Sequence, residues 1–231
     1  MLGACGLNMK VCMISNFLNH HQLPFCQAMK NLIGDNFRFI ATTATPMERL
    51  SMGYEEMNEV YSFVLPAYKS KTFEAKALKL SREADIIIIG SAPNFYYKER
   101  MKVNKITFRY EERSYKKGIH YAYTPRRLAS LVKHHLIYFH KPNYILCASG
   151  YTASDYAMNG LYLGKTYKWG YFPKKSIYTF TELMKFKDNK KPVILWAGRL
   201  MPCKYPEEII YVADYLKNRG YDFFVQIIGD G

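Results

Sequence analysis

The chain has 231 residues, 49% hydrophobic and 16% aromatic, which excludes a disordered polymer and allows one large domain or one domain with part of another. Its 33 Lys and Arg against 19 Asp and Glu give a net charge of +14, a surface suited to nucleic acid, anionic headgroups or phosphorylated small molecules. The five cysteines are scattered and never form a C-x-x-C pair, so neither a disulfide framework nor a zinc site is indicated.

Lys10 to Asn16 is a short apolar run that stops at polar residues, as a buried parallel strand does. Leu23 to Ile33 reads as a helix, with Pro24 in its first turn and Gly34 as its stop. Phe37 to Thr42 and Asn58 to Leu65 read as strands, and Ser70 to Glu83 as a helix. Asp85 to Gly90 (DIIIIG) is β-branched and continuous, the clearest strand in the chain. Lys102 to Arg109 reads as the next strand, and Pro125 to Phe139 as a helix with Thr124 as N-cap. A strand at Tyr144 to Ala148, a short helix at Ser154 to Leu161 and a strand at Tyr167 to Phe172 follow.

Pro173 to Lys191 is charged and aperiodic, so 173–191 reads as an interdomain linker. The alternation restarts with a strand at Val193 to Ala197, a helix over about Tyr205 to Arg219 and a strand at Phe223 to Ile228. This pattern predicts an α/β fold: a Rossmann-like parallel-sheet domain over 1–172 and the first β-α-β of a second one over 192–231. A stub of two strands and one helix cannot cover both its faces, so the second domain reads as truncated.

The loop after Ala197 carries the most chemistry. Gly198 lets a ligand approach the backbone, and Arg199 and Lys204 stand five apart ahead of a helix start near Pro206. Free N–H groups and the helix dipole favour phosphate there, Arg grips a diphosphate bidentately and Lys adds a point charge. Two such cations also occur on ordinary solvated loops. The whole string VILWAGRLMPCKYPEEIIYVADYLKNRGYDFFVQIIGDG, however, resembles the opening of the C-terminal domain in family 4 glycosyltransferases. The pattern is strand, G-R-L-x-x-x-K, long helix, then a strand ending G-x-G. Gly198, Arg199, Leu200, Lys204, Gly229 and Gly231 match it. KTYKWGYFPK and NYILCASGYTASDYAMNG are similar to the family's hinge entry and to the strand, Ser and helix that close its N-terminal domain.

The resemblance implies the GT-B pair of facing Rossmann-like domains, and sugar transfer with retention from a nucleoside diphosphate donor to a glycan or lipid-linked acceptor. It also implies that Gly198, Arg199 and Lys204 hold the donor diphosphate and that no metal or other cofactor is needed. The family's Glu-x7-Glu motif would fall beyond Gly231, so these 231 residues alone are expected to be inactive. Polysaccharide biosynthesis is the implied setting.

Elsewhere the family's pattern is altered. The usual Gly-Gly pair after strand one is replaced by Ser15-Asn16-Phe17-Leu18-Asn19-His20-His21-Gln22. Asn19, His20, His21 and Gln22 lie at the ligand edge of a parallel sheet, as contacts to acceptor or phosphate or simply as a loop and helix cap. Two adjacent histidines cannot face the same way, so at most one is expected to point into a cleft. Where the family often has a catalytic His, this chain has Arg109-Tyr110-Glu111-Glu112-Arg113. Glu112 and Arg113 are the candidates there, a carboxylate for positive charge at the anomeric carbon and a cation for phosphate or acceptor; a surface ion-paired turn is the plain alternative. Ser91, just past the DIIIIG strand, is a further ligand-edge position.

Between Lys98 and Lys141, twelve basic residues meet three acidic ones, with aromatics interleaved. This reads as a solvated basic face, or one that docks on an anionic bilayer or on single-stranded nucleic acid. No zinc spacing, recognition-helix pattern or ribonucleoprotein motif accompanies the charge, so nucleic acid is not expected. No apolar run nears the ~20 residues of a membrane span, and Met1 to Leu18 lacks a secretory pattern. A cytoplasmic protein, at most peripheral at a membrane, is expected. The competing functions are a non-hydrolysing nucleotide-sugar epimerase and a basic nucleic-acid- or membrane-binding module.

Overall fold

The computed structural model of the chain describes residues 8–115, 118–187 and 191–230. It forms two compact units, Met1–Lys174 and Lys175–Gly231.

The first unit is built on seven strands: β1 (Val11–Ser15), β2 (Phe37–Ala41), β3 (Val64–Pro66), β4 (Ile86–Ile89), β5 (Ile106–Glu111), β6 (Asn143–Cys147) and β7 (Thr166–Lys168). All pair in parallel, in the order β3-β2-β1-β4-β5-β6-β7. The helices are α1 (Leu23–Ile33), α2 (Met47–Ser51), α3 (Met57–Val60), α4 (Lys71–Glu83), α5 (Asn94–Lys102), α6 (Pro125–His134) and α7 (Thr152–Ala157). The expected α/β class and Rossmann-like parallel sheet are what the chain forms.

Strand alternation divides the core between two faces. Val11, Met13, Phe37, Phe39 and Ile88 pack with Cys26 and Ile33 of α1. Cys12, Ile14, Ile40, Ile87 and Ile89 pack with Ala77 of α4 and Tyr96, Tyr97 and Met101 of α5. Ile145 and Cys147 meet Leu131 of α6 and Tyr156 of α7. Burying so many β-branched and aromatic side chains at ~25 cal/mol per Å² is the main stabilising term. Cys12, Cys26 and Cys147 are free and buried, and burial pushes the Cys12 thiol up to about 12.

Several local readings are corrected. Residues 58–65 begin as helix, because the Glu56 side chain accepts the Asn58 N–H at the N-terminus of α3; only Val64–Pro66 pairs as a strand. The strand read at Lys102 to Arg109 is Ile106–Glu111, because Lys102 closes α5, a helix whose polar and aromatic residues gave it no clear period. Thr124 precedes α6 without capping it: its hydroxyl donates to the Tyr121 carbonyl at 3.1 Å. α6 stops at His134, ahead of a 3₁₀ turn at Leu136–Tyr138, and the strand read to Phe172 ends at Lys168.

The basic stretch is not one face. Arg100 is fully buried, donating to the carbonyls of Ser81, Ala84, Asp85 and Ile106 and to Thr107 Oγ1. Those acceptors include the otherwise orphaned end of α4, so this cation is a helix cap and strand tether, not a surface charge. Arg109, Tyr96, Tyr97 and Tyr115 also point inward, while Lys116 and Lys117 lie outside the described residues.

The second unit holds α8 (Phe180–Lys185), β8 (Val193–Ala197), α9 (Glu208–Lys217) and β9 (Phe224–Ile228), with β8 and β9 parallel. The segment read as linker thus contains a helix, started by a capping box. Thr179 Oγ1 accepts the Glu182 N–H at 3.2 Å, and Glu182 accepts the Thr179 N–H at 2.7 Å.

Candidate functional site

From β1 the chain runs outward to β3 on one side and returns to β4 on the other. The β1/β4 boundary is therefore the switch point of the sheet, where the connections diverge and leave a crevice at the carboxyl ends of the strands. A cavity of about 470 Å³ opens there. Ser15 and Asn16 border it from the end of β1, Gly90 and Ser91 from the end of β4, and Tyr110 to Ser114 from β5 and the turn beyond. Asn19, Gln22 and Tyr171 complete the wall.

Gly90 keeps the floor open. A Cβ there would stand 3.3 Å from both Ser15 Oγ and Tyr110 Cδ1. Asn19 shapes the next loop: its side chain accepts the His21 N–H at 3.0 Å and its carbonyl accepts the Gln22 and Leu23 N–H groups, which launches α1. Gln22 is buried and donates to Ser15 Oγ at 3.4 Å, leaving its own Oε1 buried with no partner among the described residues. An unmet buried acceptor costs about 1–3 kcal/mol and favours a donor from a ligand.

Of the sequence candidates, Asn19, Gln22, Ser91, Glu112 and Arg113 share this one cleft. The Glu112 carboxylate accepts from the Tyr171 hydroxyl. Arg113 lies over the Tyr151 ring at 4.6 Å, with Nε 3.6 Å from the buried Asp155 carboxylate. His20 and His21 do not line it. Their ring centroids lie 3.8 Å apart, tilted by 46°, in the turn ahead of α1. His20 rests on Tyr54 at 5.2 Å, and His21 stands behind Tyr171 at 4.7 Å. Burial, His20 and Arg49 lower the His21 pKa.

Glu111, Tyr110, Ser114 and Tyr171 are wall residues that sequence reasoning did not single out. Tyr171 is beyond recognition from pattern: it follows β7, and the chain returns to the cleft through the Phe172 N–H bond to the His21 carbonyl, 2.9 Å. Glu111 did carry a signal. Thr107, Arg109 and Glu111 alternate along a central strand, a polar set on a buried face.

In the second unit, the loop from Gly198 to Lys204 leaves β8 beside the end of β9. Gly198 N–H donates to the Ile228 carbonyl at 2.9 Å, and Leu200 N–H to the Asp230 carbonyl at 2.7 Å. Gly229 has φ +151°, and a Cβ there would overlap the Gly198 carbonyl, so this crossing demands glycine. Arg199 and Lys204 are exposed. Lys204 ends a 3₁₀ turn, Tyr205 adopts φ 48°, and α9 starts at Glu208, two residues later than the helix start read near Pro206. Gly231 lies outside the described residues. Among the described residues, no group of three His, Cys, Asp or Glu side chains is placed to hold a metal ion, and no helix is long and apolar enough to cross a membrane.

Fold and site together define an α/β protein with a polar cleft at the switch point of a parallel sheet. No protein-family pattern and no curated protein sequence matches the chain. Among solved structures it is similar to UDP-N-acetylglucosamine 2-epimerase from Rickettsia bellii, with 14% identity and a TM-score of 0.46. The likeness covers 96% of this chain and 62% of that one.

Proposed function

We propose that the chain belongs to a glycosyltransferase that moves a sugar from a nucleoside diphosphate donor to a glycan or lipid-linked acceptor with retention. The observation that carries this reading is the glycine-gated loop of the second unit. Gly198 and Gly229 bring two strand ends together, and Arg199 and Lys204 project exposed cations from the same loop. Those cations stabilise the diphosphate as the sugar–phosphate bond breaks, a role in which one lost donor costs roughly 3 kcal/mol. In the first unit, Glu112 faces positive charge at the anomeric carbon and Arg113 holds an acceptor or phosphate oxygen. Asn19, Gln22 and Ser91 supply hydrogen bonds to hydroxyl groups, and His21 orients Tyr171 from behind.

Titration of the chain with UDP, GDP and ADP by calorimetry tests the reading. At least one should bind, and Arg199→Ala with Lys204→Ala should weaken that binding about tenfold or more. Affinity unchanged by both substitutions, or no binding by any of the three, sinks the proposal. Sugar transfer to an added acceptor separates this reading from epimerisation, which changes the donor itself.

A further inference from the structure

We propose that a second cavity, beside the cleft, is a phosphate-binding site built on Arg127. The cavity, about 440 Å³, is bordered by Tyr115, Tyr121, Thr124, Arg126, Arg127 and Ser130, with Ser114 shared between it and the cleft. It brings two guanidinium groups and several hydroxyls together, and among the described residues no carboxylate lines it.

Arg127 is the unusual member. Its Nε and Nη2 are shielded from solvent and have no hydrogen-bond partner among the described residues. Guanidinium donors removed from water without an acceptor are costly, and the loss is offset when a planar fork meets two anionic oxygens. The Tyr115 ring, 5.4 Å from the Arg127 guanidinium carbon, supports the charge through its face and supplies no acceptor in the plane of the fork. That support is rigid. Tyr115 is 2% exposed, its N–H donates to Asp155 at 3.4 Å and its hydroxyl accepts from Asn159 at 2.8 Å. Asp155 itself is occupied by the Ser114 N–H at 3.0 Å and faces Arg113. A phosphomonoester or diphosphate therefore matches the cavity in charge, with Arg126 and Arg127 on its wall.

Because Ser114 borders both spaces, a molecule anchored here by its phosphate reaches the cleft with its other end. Assigning that phosphate to the acceptor rests on the transferase reading; the site itself does not. Its test is run in an Arg199→Ala/Lys204→Ala background, which removes the loop of the second unit from the measurement. Titration with inorganic phosphate, followed by ³¹P line broadening, should show binding that Arg127→Ala weakens about tenfold or more, equivalent to about 1.4 kcal/mol. Equal affinity with and without Arg127, or no binding in the parent background, overturns the proposal. If Arg127→Ala does not fold, Arg127→Lys decides, since it keeps the charge and loses the fork: weakened binding supports the site and unchanged binding overturns it. Competition identifies the source. Displacement of phosphate by glycerol 3-phosphate indicates a soluble ligand, and displacement by phosphatidic acid in phosphatidylcholine vesicles a lipid one. Displacement by neither overturns an organic phosphate ligand.

Discussion

Arg109 and Glu111, two residues apart on one strand, form an ion pair at 2.7 Å that joins the buried polar layer under α6 and α7 to the wall of the cleft. Glu111 also accepts from the Tyr156 hydroxyl, and Arg109 donates to the His134 carbonyl at 3.0 Å. Burial works against the Arg109 charge, but Glu111 together with Tyr156, Tyr162 and Tyr97 outweighs it and the pKa is raised. Removing one partner strands the other, so Glu111→Ala should cost about 2–4 kcal/mol in urea unfolding. Arg109→Met combined with Glu111→Leu should cost less than the two single losses added together. Strict additivity would show that the pair is not coupled.

His135 makes stability depend on pH. Burial, Arg109 and Arg127 push its pKa down to about 2, and it is 4% exposed, with Nδ1 3.1 Å from both Arg109 and the Tyr162 hydroxyl. The unfolded chain takes up this proton below about pH 6.5 while the folded chain does not. The contribution is therefore fully present above that pH and is lost as pH falls, by up to about 1.4 kcal/mol per unit. Between pH 6.5 and 5, where most carboxylates stay ionised, His135→Gln should lower stability at neutral pH yet flatten the acid slope. Parallel slopes for the two proteins would refute this.

The two helix starts should respond differently to alanine. Ser70 Oγ accepts the Phe73 N–H at 3.2 Å at the head of α4, so Ser70→Ala should cost about 1 kcal/mol. Thr124 caps nothing at the head of α6, so Thr124→Ala should cost only a few tenths of that by thermal melting. Similar losses at both positions would contradict the geometry.

Gly229→Ala should loosen the second unit, since both its φ of +151° and the nearby Gly198 carbonyl reject a side chain. Amide exchange should rise along β8 and β9, with a loss of about 2 kcal/mol or more. Unchanged protection would mean that the crossing tolerates a Cβ.

On the proposed transferase reading, Lys204→Ala should lower the kcat of sugar transfer by about 10²-fold or more, with donor KM changing less. A rate like that of the parent would remove Lys204 from the chemistry.

The elements legible in the sequence are those fixed by neighbours along the chain. The run Ile86–Ile89 could only be a buried strand, Leu23 to Ile33 carried its own proline start and glycine stop, and Ser70 announced α4. The Gly198 to Lys204 loop was equally legible, because glycine and cations at fixed offsets are local facts. What tertiary structure alone decided was which strand lies beside which, since hydrogen bonding between distant strands leaves no period in the sequence. That pairing set β1 against β4, and so made one cleft of Asn19, Gln22, Ser91, Glu112 and Arg113. It also turned Arg100 and Arg109 inward, away from the basic surface that charge counting assigns them. Charge is counted along the chain, but the direction a side chain faces is set by the sheet it belongs to.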